Sequence, residues 1–119
     1  MLAAGRGRRF DKHGERDKLL ARIDGHARVE RAVRALAGSC DRVIVVVRDD
    51  AAGDRVRAAV GAAGPEFVGC PQADDGMGHS LACGARAALD GPKPAAVLVL
   101  PGDMPFVQPD TVASVLAAL

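Results

Sequence analysis

The run Arg42-Val43-Ile44-Val45-Val46-Val47 decides the fold of this chain. It is a continuous series of β-branched residues, and the polar residues Arg48 and Asp49 follow it. Such a run is typical of a strand that is buried on both faces of a parallel sheet. Ala95–Leu100 has the same character, and Glu66–Gly69 is a weaker third run. All three runs are predicted to be strands of one sheet.

Between these runs, apolar residues recur at the spacing of a helix. Three stripes share this pattern: Val29, Ala32, Val33, Leu36 and Ala37; Val56, Ala59 and Val60; and Leu81, Ala85, Ala88 and Leu89. Each stripe indicates an amphipathic helix with one buried face. A fourth helix is expected to begin at Pro109, because proline suits the first helical turn. The alternation of strands and helices predicts an α/β fold, a Rossmann-like three-layer sandwich with a mainly parallel sheet.

The chain has 119 residues, so we expect one domain over residues 1–119. The first strand of a doubly wound sheet is central. Met1 stands just ahead of the first glycine loop, so the strand that leads into this loop is expected to be a stub. Leu119 closes an alanine-rich helix, with no further strand after it. We therefore expect the sandwich to be truncated at both ends.

The composition argues against several classes of partner. The chain has three Phe and no Trp or Tyr, whereas proteins that bind single-stranded nucleic acid stack the bases on aromatic side chains. Its net charge of +1 gives no overall field that would attract DNA or an acidic membrane surface. No apolar run approaches the roughly 18 residues of a membrane span. We expect neither a nucleic acid nor a membrane as partner.

The three cysteines are odd in number and widely spaced, with no C-x-x-C pair, which makes a zinc site or a disulfide framework unexpected. They are Cys40, Cys70 and Cys83. We expect a reducing, cytoplasmic environment, in which Cys70 and Cys83 are small buried apolar groups. The three histidines form no pattern with the cysteines and are expected at the surface or at helix ends: His13, His26 and His79.

The first candidate site is a basic, glycine-rich loop, Leu2-Ala3-Ala4-Gly5-Arg6-Gly7-Arg8-Arg9-Phe10, which continues to Lys18. Glycine lets backbone N–H groups surround an anion, and arginine and lysine neutralise it, so the loop suits a polyphosphate. The loop lacks the Gly-Lys-Ser/Thr ending of a P-loop, and Phe10 replaces the third glycine of the dinucleotide-binding motif. A solvated, charged turn is the alternative.

Two further stretches carry candidate site residues. Gly76-Met77-Gly78-His79-Ser80-Leu81 leads into a helix, whose unpaired N–H groups can bind a phosphate, a carboxylate or a base edge. Asp103, in Leu100-Pro101-Gly102-Asp103-Met104-Pro105, follows the end of a predicted strand. Ligands of open α/β sheets bind beyond such ends, and a carboxylate beside phosphates suits Mg²⁺. The alternatives are an ordinary helix entry and a turn aspartate between prolines.

The first and fourth strands of a doubly wound sheet are neighbours at the point where ligands bind. The loops that follow these strands, Gly5–Lys18 and Pro101–Pro105, are therefore expected to face one crevice. Cationic side chains and a metal-binding carboxylate would meet there, which is what a nucleoside triphosphate with Mg²⁺ requires.

Three motifs in this order resemble the MobA-like nucleotidyltransferase family, and within it most closely the molybdenum cofactor cytidylyltransferases. The matching residues are Leu2-Ala3-Ala4-Gly5 with Arg9-Phe10 and Lys18-Leu19-Leu20; Gly76-Met77-Gly78 with Ser80-Leu81 and Gly84; and Gly102-Asp103-Met104-Pro105. The resemblance covers only the N-terminal, nucleotide-binding part of the family's domain.

The resemblance implies transfer of CMP from CTP to the phosphate of a molybdopterin-type cofactor, with release of pyrophosphate. Arg9, Lys18 and Asp103 would be catalytic, with Arg9 and Lys18 on the triphosphate and Asp103 holding Mg²⁺. The residues that would line the nucleotide are Leu2, Ala3, Ala4, Gly5, Arg6, Gly7, Arg9, Lys18, Gly76, Met77, Gly78 and Ser80.

The implied partners are a nucleoside triphosphate, a pterin phosphate acceptor and, by analogy, a molybdenum hydroxylase that receives the product. CTP is favoured because Ala4 precedes Gly5, where the guanylyl branch of the family usually has glycine. Guanylyl or other nucleotidyl transfer stays open, as does a truncated nucleotide-binding module without catalysis.

Overall fold

A computed structural model of the chain describes residues 1–5, 18–104 and 106–119. Its strands are β1 (Leu2–Ala3), β2 (Arg22–Ile23), β3 (His26–Ala27), β4 (Ile44–Arg48) and β5 (Glu66–Cys70). Its helices are α1 (Arg28–Ala37), α2 (Ala51–Val60), α3 (Met77–Leu89) and α4 (Pro109–Ala117). Single 3-10 turns cover Lys18–Leu20, Gly61–Ala63 and Ala73–Asp75.

The main sheet has the strand order β1-β4-β5, and both of its pairings are parallel. Leu2 is paired with Val46 on one side and with Pro101, in an isolated parallel bridge, on the other. The segment that ends at Pro101 is therefore the neighbour of β1. This arrangement confirms the α/β fold with a parallel sheet.

Residues 95–100 do not form the buried strand that the sequence predicts. All of them are described, and only Leu100 joins the sheet by a hydrogen bond, accepting from the Leu2 N–H at 2.9 Å. Val97 and Val99 are 60% and 46% exposed. The prediction is wrong because β1 consists of only Leu2–Ala3, so that a strand lies alongside only the last residues of the segment.

The core lies on both faces of β4. Val45 and Val47 pack against α1 and α2 on one face, whereas Val46 packs with Cys83 of α3 on the other. Each of the three valines is at most 1% exposed, which contributes about 1.5–3 kcal/mol per side chain. Burial on both faces confirms the prediction from the continuous apolar run.

The predicted stripe of α1 is confirmed except at its end, where Ala37 is exposed and Ala35 is buried instead. In α2 the predicted residues Val56 and Val60 are buried, and α4 begins at Pro109 as predicted. None of the described helices is long and apolar enough to cross a bilayer.

The predicted stripe of α3 is wrong for most of its residues. Leu81 and Leu89 are 44% and 64% exposed, and the buried face consists of Ser80, Cys83 and Ala88. The reason is a close approach to the sheet, since a Cβ added to Gly84 would lie 3.0 Å from Val46 Cγ2. Only small side chains fit between this helix and β4.

The antiparallel hairpin of β2 and β3 was not predicted. Asp24 and Gly25 connect its strands with φ angles of 52° and 84°. A two-residue turn with both φ angles positive is typical of Asp-Gly between short strands, so the dipeptide was the available signal.

Candidate functional site

The candidate site lies at the edge of the sheet where the parallel strands end, which we call the carboxyl edge. Gly5, Asp49, Pro71 and Gly102 follow these strand ends in four separate segments. Because every pairing in this sheet is parallel, all four segments emerge at the same edge. Ligands of open α/β sheets bind at such an edge.

Gly102 brings the first and last of these segments together. Its N–H donates to the Leu2 carbonyl oxygen at 2.8 Å. A Cβ at this position would lie 3.1 Å from that oxygen and 3.3 Å from Leu19 Cδ2, so glycine permits the close approach. Asp103, which is half-buried, therefore follows a segment that is bridged to β1, and the exposed Gly5 follows β1 itself.

Part of the predicted triphosphate loop falls outside the described residues. This applies to Arg6, Gly7 and Arg9, and to the side chain of Lys18. The backbone of Lys18 begins the 3-10 turn whose Leu19 is buried beside Gly102. The described part of the loop therefore both leaves and returns at the carboxyl edge.

The start of α3 presents backbone donors at the same edge. Gly76 occupies the cap position with φ 126° and makes no side-chain cap hydrogen bond. Gly76, Met77 and Gly78 are all exposed, and the first N–H groups of a helix lack intrahelical acceptors. Together with the positive end of the helix dipole, they suit an anion. Ser80 is buried on the face that packs on the sheet.

Arg48 is a site residue that the sequence reasoning missed. It is the last residue of β4 and is buried. Its Nη1 and Nη2 atoms donate to the two carboxylate oxygens of Asp74 at 2.7 and 3.2 Å, and its Nε donates to Asp50 Oδ2 at 2.9 Å. The cluster connects β4 to the turn just before Gly76. The charged residues directly after the valine run were the available signal.

The cluster of Arg48, Asp50 and Asp74 also shifts the pKa values of its members. The Asp74 carboxylate, followed by Asp50, raises the pKa of Arg48. The Arg48 guanidinium lowers the pKa of Asp50, and the Gly53 N–H, which donates to Asp50 Oδ1 at 3.1 Å, adds to this effect. Arg48 and Asp50 are therefore held in their charged forms.

Cys70 and Cys83 form a disulfide, with their Cα atoms 6.0 Å apart. The expectation that they are buried is confirmed, since they are 1% and 6% exposed, but the expectation that they are unpaired is wrong. They meet because α3 packs over the end of β5, a contact that their separation of 13 residues does not reveal. Cys40 is a free thiol.

Among the described residues, no three His, Cys, Asp or Glu side chains are close enough to form a metal site of their own. His79 is exposed, and so is His26, whose Nδ1 lies 3.3 Å from Glu30 Oε2. His13 falls outside the described residues. In chemical terms, the described part of the carboxyl edge offers the Asp103 carboxylate, the two carboxylates that pair with Arg48, and the exposed backbone N–H groups at the start of α3.

In a comparison with known protein families, residues 1–119 match the model of the MobA-like NTP transferase domain. The chain belongs to the MobA-like NTP transferase domain family. It therefore carries a nucleotidyltransferase domain.

Two relatives of this NTP transferase domain are bifunctional GlmU proteins. The protein from Ruegeria sp. (strain TM1040) is 37% identical over 121 residues, and the one from Bordetella petrii is 35% identical over 120 residues. Each alignment covers 99% of this chain and 25% of the relative, so the chain spans about a quarter of the length of these relatives. No solved structure matches the chain significantly.

Proposed function

We propose that this chain binds a nucleoside triphosphate at the carboxyl edge and transfers its nucleoside monophosphate to a phosphate acceptor, with release of pyrophosphate. The favoured substrates are CTP and the phosphate of a molybdopterin-type cofactor. The observation that carries the proposal is the hydrogen bond from the Gly102 N–H to the Leu2 carbonyl, because it holds the segment that contains Asp103 against β1, the strand that leads into the glycine-rich loop.

In this proposal the first loop and the start of α3 hold the nucleotide. The nucleotide-lining residues are Leu2, Ala3, Ala4, Gly5, Arg6, Gly7, Arg9, Lys18, Gly76, Met77, Gly78 and Ser80. Arg9 and Lys18 neutralise the triphosphate, and the exposed N–H groups of α3 face the base and sugar. The N–H groups at the start of α3 are exposed and lack intrahelical acceptors, so they can donate hydrogen bonds to a base edge or a sugar oxygen.

Asp103 fits a Mg²⁺ ion that the family implies. Mg²⁺ usually takes one or two protein carboxylates together with substrate phosphates, so a single half-buried carboxylate at the strand ends is a suitable donor. When bound, the ion would supply positive charge to the triphosphate. Asp103 would orient it, while Arg9 and Lys18 balance the remaining phosphate charge.

The reaction needs alignment more than acid–base catalysis. An oxygen of the acceptor phosphate attacks the α-phosphorus in line, its bond to phosphorus forms, and the bond to pyrophosphate breaks. A phosphate monoester has a second pKa of about 6 and is largely ionised at neutral pH, so no general base is required. Catalysis then consists of positioning and charge neutralisation.

A sugar phosphate is the second candidate acceptor. The similarity to two bifunctional GlmU proteins favours it. For the pterin reaction, a molybdenum hydroxylase would receive the product, and the cytoplasm is the expected compartment. A module that binds nucleotide without turnover is the third candidate.

Calorimetry with CTP, GTP and UTP, each with Mg²⁺, together with a pyrophosphate-release assay, tests the proposal. We expect binding of CTP, and release only when an acceptor is added. A pterin phosphate and a sugar phosphate in parallel reactions identify the acceptor. Binding without release with either acceptor would support the non-catalytic module, and absence of binding would refute the proposal.

Asp103→Asn tests the metal assignment. We expect it to lower Mg²⁺-dependent turnover by the equivalent of about 2–4 kcal/mol of transition-state stabilisation. Asp41→Asn is the matched control, because Asp41 is an exposed aspartate that precedes β4 at the opposite edge. Equal turnover in both variants would refute the role of Asp103.

A further inference from the structure

Cys70 and Cys83 lie directly beneath the nucleotide-binding start of α3. Cys70 is the last residue of β5, and Cys83 is in the second turn of α3. Both pack against Ala4, at the beginning of the glycine-rich loop, and against Val46. The segment 71–82 between the two cysteines contains Gly76, so a bond between the cysteines restrains the conformation of this segment.

Cys83 is the more exposed of the two cysteines, at 6% against 1%. It lines an open groove of about 590 Å³ between β5 and α3, together with Gln72 and Arg86. Arg86 Nη2 lies 3.7 Å from Cys83 Sγ. The Arg86 guanidinium can attract an anionic reagent to the groove. Cys70 is 1% exposed and does not line the groove.

We propose that Cys70 and Cys83 form a redox-active dithiol, that a low-molecular-weight disulfide of the glutathione type oxidises it, and that the resulting disulfide orders segment 71–82 for nucleotide binding. The effect on nucleotide binding rests on the proposed function, whereas the thiol chemistry does not.

The oxidation proceeds in two exchange steps. The Cys83 thiolate attacks one sulfur of the small disulfide, whose S–S bond breaks, and the first small thiol leaves with the proton that Cys83 released. The Cys70 thiolate then attacks Cys83 Sγ in the mixed disulfide, and the second small thiol leaves with the proton of Cys70. Two protein thiols are oxidised, and one small disulfide is reduced to two thiols.

The two redox states hold α3 differently. Cys70 Sγ lies 3.5 Å from the His79 carbonyl oxygen, so a Cys70 S–H in the dithiol would have a weak acceptor in the first turn of α3. In the disulfide, a covalent bond ties β5 to the second turn. This tether lowers the conformational freedom of the segment between the cysteines, so less order has to be imposed when a nucleotide binds.

The experiment equilibrates the protein in glutathione buffers of graded redox potential. Intact mass reports loss of two hydrogens on disulfide formation, and hydrogen exchange reports the order of residues 71–80. Calorimetry then gives the Kd of CTP with Mg²⁺ in each state. We expect slower exchange in the oxidised protein and binding that is about three- to tenfold tighter.

The variants separate this proposal from the proposed function. Cys83→Ser is expected to show the exchange and affinity of the reduced protein in every buffer, and Cys83→Ala repeats the test with an apolar side chain. Cys40→Ser, which changes the free thiol, is the matched control and is expected to respond like the unmodified chain.

Three results would overturn the proposal: no loss of two hydrogens in oxidising buffer, unchanged exchange over residues 71–80, or a Kd that is equal or weaker in the oxidised protein. If neither redox state bound a nucleotide, the proposed function would fail. The proposed effect of the disulfide on nucleotide binding would then fail as well. The mass and exchange results would still decide whether the dithiol forms and orders the segment.

Discussion

At the scale of single residues, Arg48 is the buried charge that organises the carboxyl edge. A buried cation is costly unless it is paired and hydrogen-bonded, and here two carboxylates, Asp50 and Asp74, meet that requirement. Asp50 has a second role, since it accepts from the Gly53 N–H and thereby caps α2. The Arg48 side chain, through Asp50 and Asp74, thus joins the end of β4, the start of α2 and the turn before α3.

The stability of the protein is expected to depend on the charge of Asp50. The lowered pKa of Asp50 means that its contribution is present above the unfolded-state pKa of about 3.9 and is lost as the pH falls through the folded-state value. Asp50→Asn keeps a capping oxygen but removes the charge. Because the side chain is 40% exposed, we expect a loss of only about 0.5–1 kcal/mol at pH 7.

Urea unfolding at a series of pH values measures this effect. The difference between Asp50→Asn and the unmodified chain is expected to shrink towards zero as the pH falls below the lowered folded-state pKa of Asp50 and the carboxylate is protonated. Asp41→Asn, at an exposed aspartate, serves as control. A difference that persists unchanged at low pH would show that the charge is not the cause.

At the scale of elements, α3 shows how a close approach selects side chains. The residues on its sheet-facing side are small: Ser80 and Cys83 are buried there, and Gly84 lies against Val46. Leu81, by contrast, is exposed. Hydropathy alone ranks the leucine as the buried residue, which is why the predicted stripe was wrong. The distance between a helix and a sheet is set by tertiary packing and is not visible in a local pattern.

Gly84→Leu tests this account. The larger side chain has no space between α3 and β4, so we expect overpacking to lower the free energy of unfolding by about 1–3 kcal/mol. Leu81→Ala, one turn away on the exposed side, is expected to change it by less than about 0.5 kcal/mol. The two values come from urea unfolding, and a larger loss in Leu81→Ala would reverse the assignment of the helix faces.

At the scale of the whole molecule, the parts of the fold that were predicted are those that one segment determines by itself. The valine run gave β4, and Pro109 gave the start of α4. Two of the parts that were missed require separate segments: Arg48 with Asp74, and Cys70 with Cys83. Local spacing contains no information on such pairs, because the packing of α3 on the sheet brings their partners together. The local hairpin of β2 and β3 was missed as well, although its Asp24-Gly25 turn was visible in the sequence.

The wrong prediction of a buried strand over residues 95–100 has a similar cause. Their apolar character was read correctly, but burial depends on the neighbouring strand, and β1 is two residues long. For the candidate site, the order of the segments predicted that the residues after β1 and those around Asp103 would be neighbours, and the bridge between Leu2 and Pro101 agrees with this. The roles of the site residues stay predictions.

The disulfide is expected to stabilise the whole molecule. A bridge that closes a loop of this length stabilises by about 3 kcal/mol in the chain-entropy account, which corresponds to a change in Tm on the order of 10 °C for a domain of this size. Thermal unfolding with and without a reductant measures the effect. Cys83→Ser should have one Tm in both conditions, whereas Cys40→Ser should keep the difference. Equal Tm values for the unmodified chain would contradict the expectation.

The buried amino terminus decides where the molecule tolerates additions. The Met1 amino group donates to the Ile44 carbonyl at 2.6 Å, and burial lowers its pKa. A purification tag fused ahead of Met1 would have to run along β4 or displace β1 from it. Leu119, by contrast, is 80% exposed. Affinity handles, fluorophores and surface-immobilisation linkers therefore belong at the carboxyl terminus.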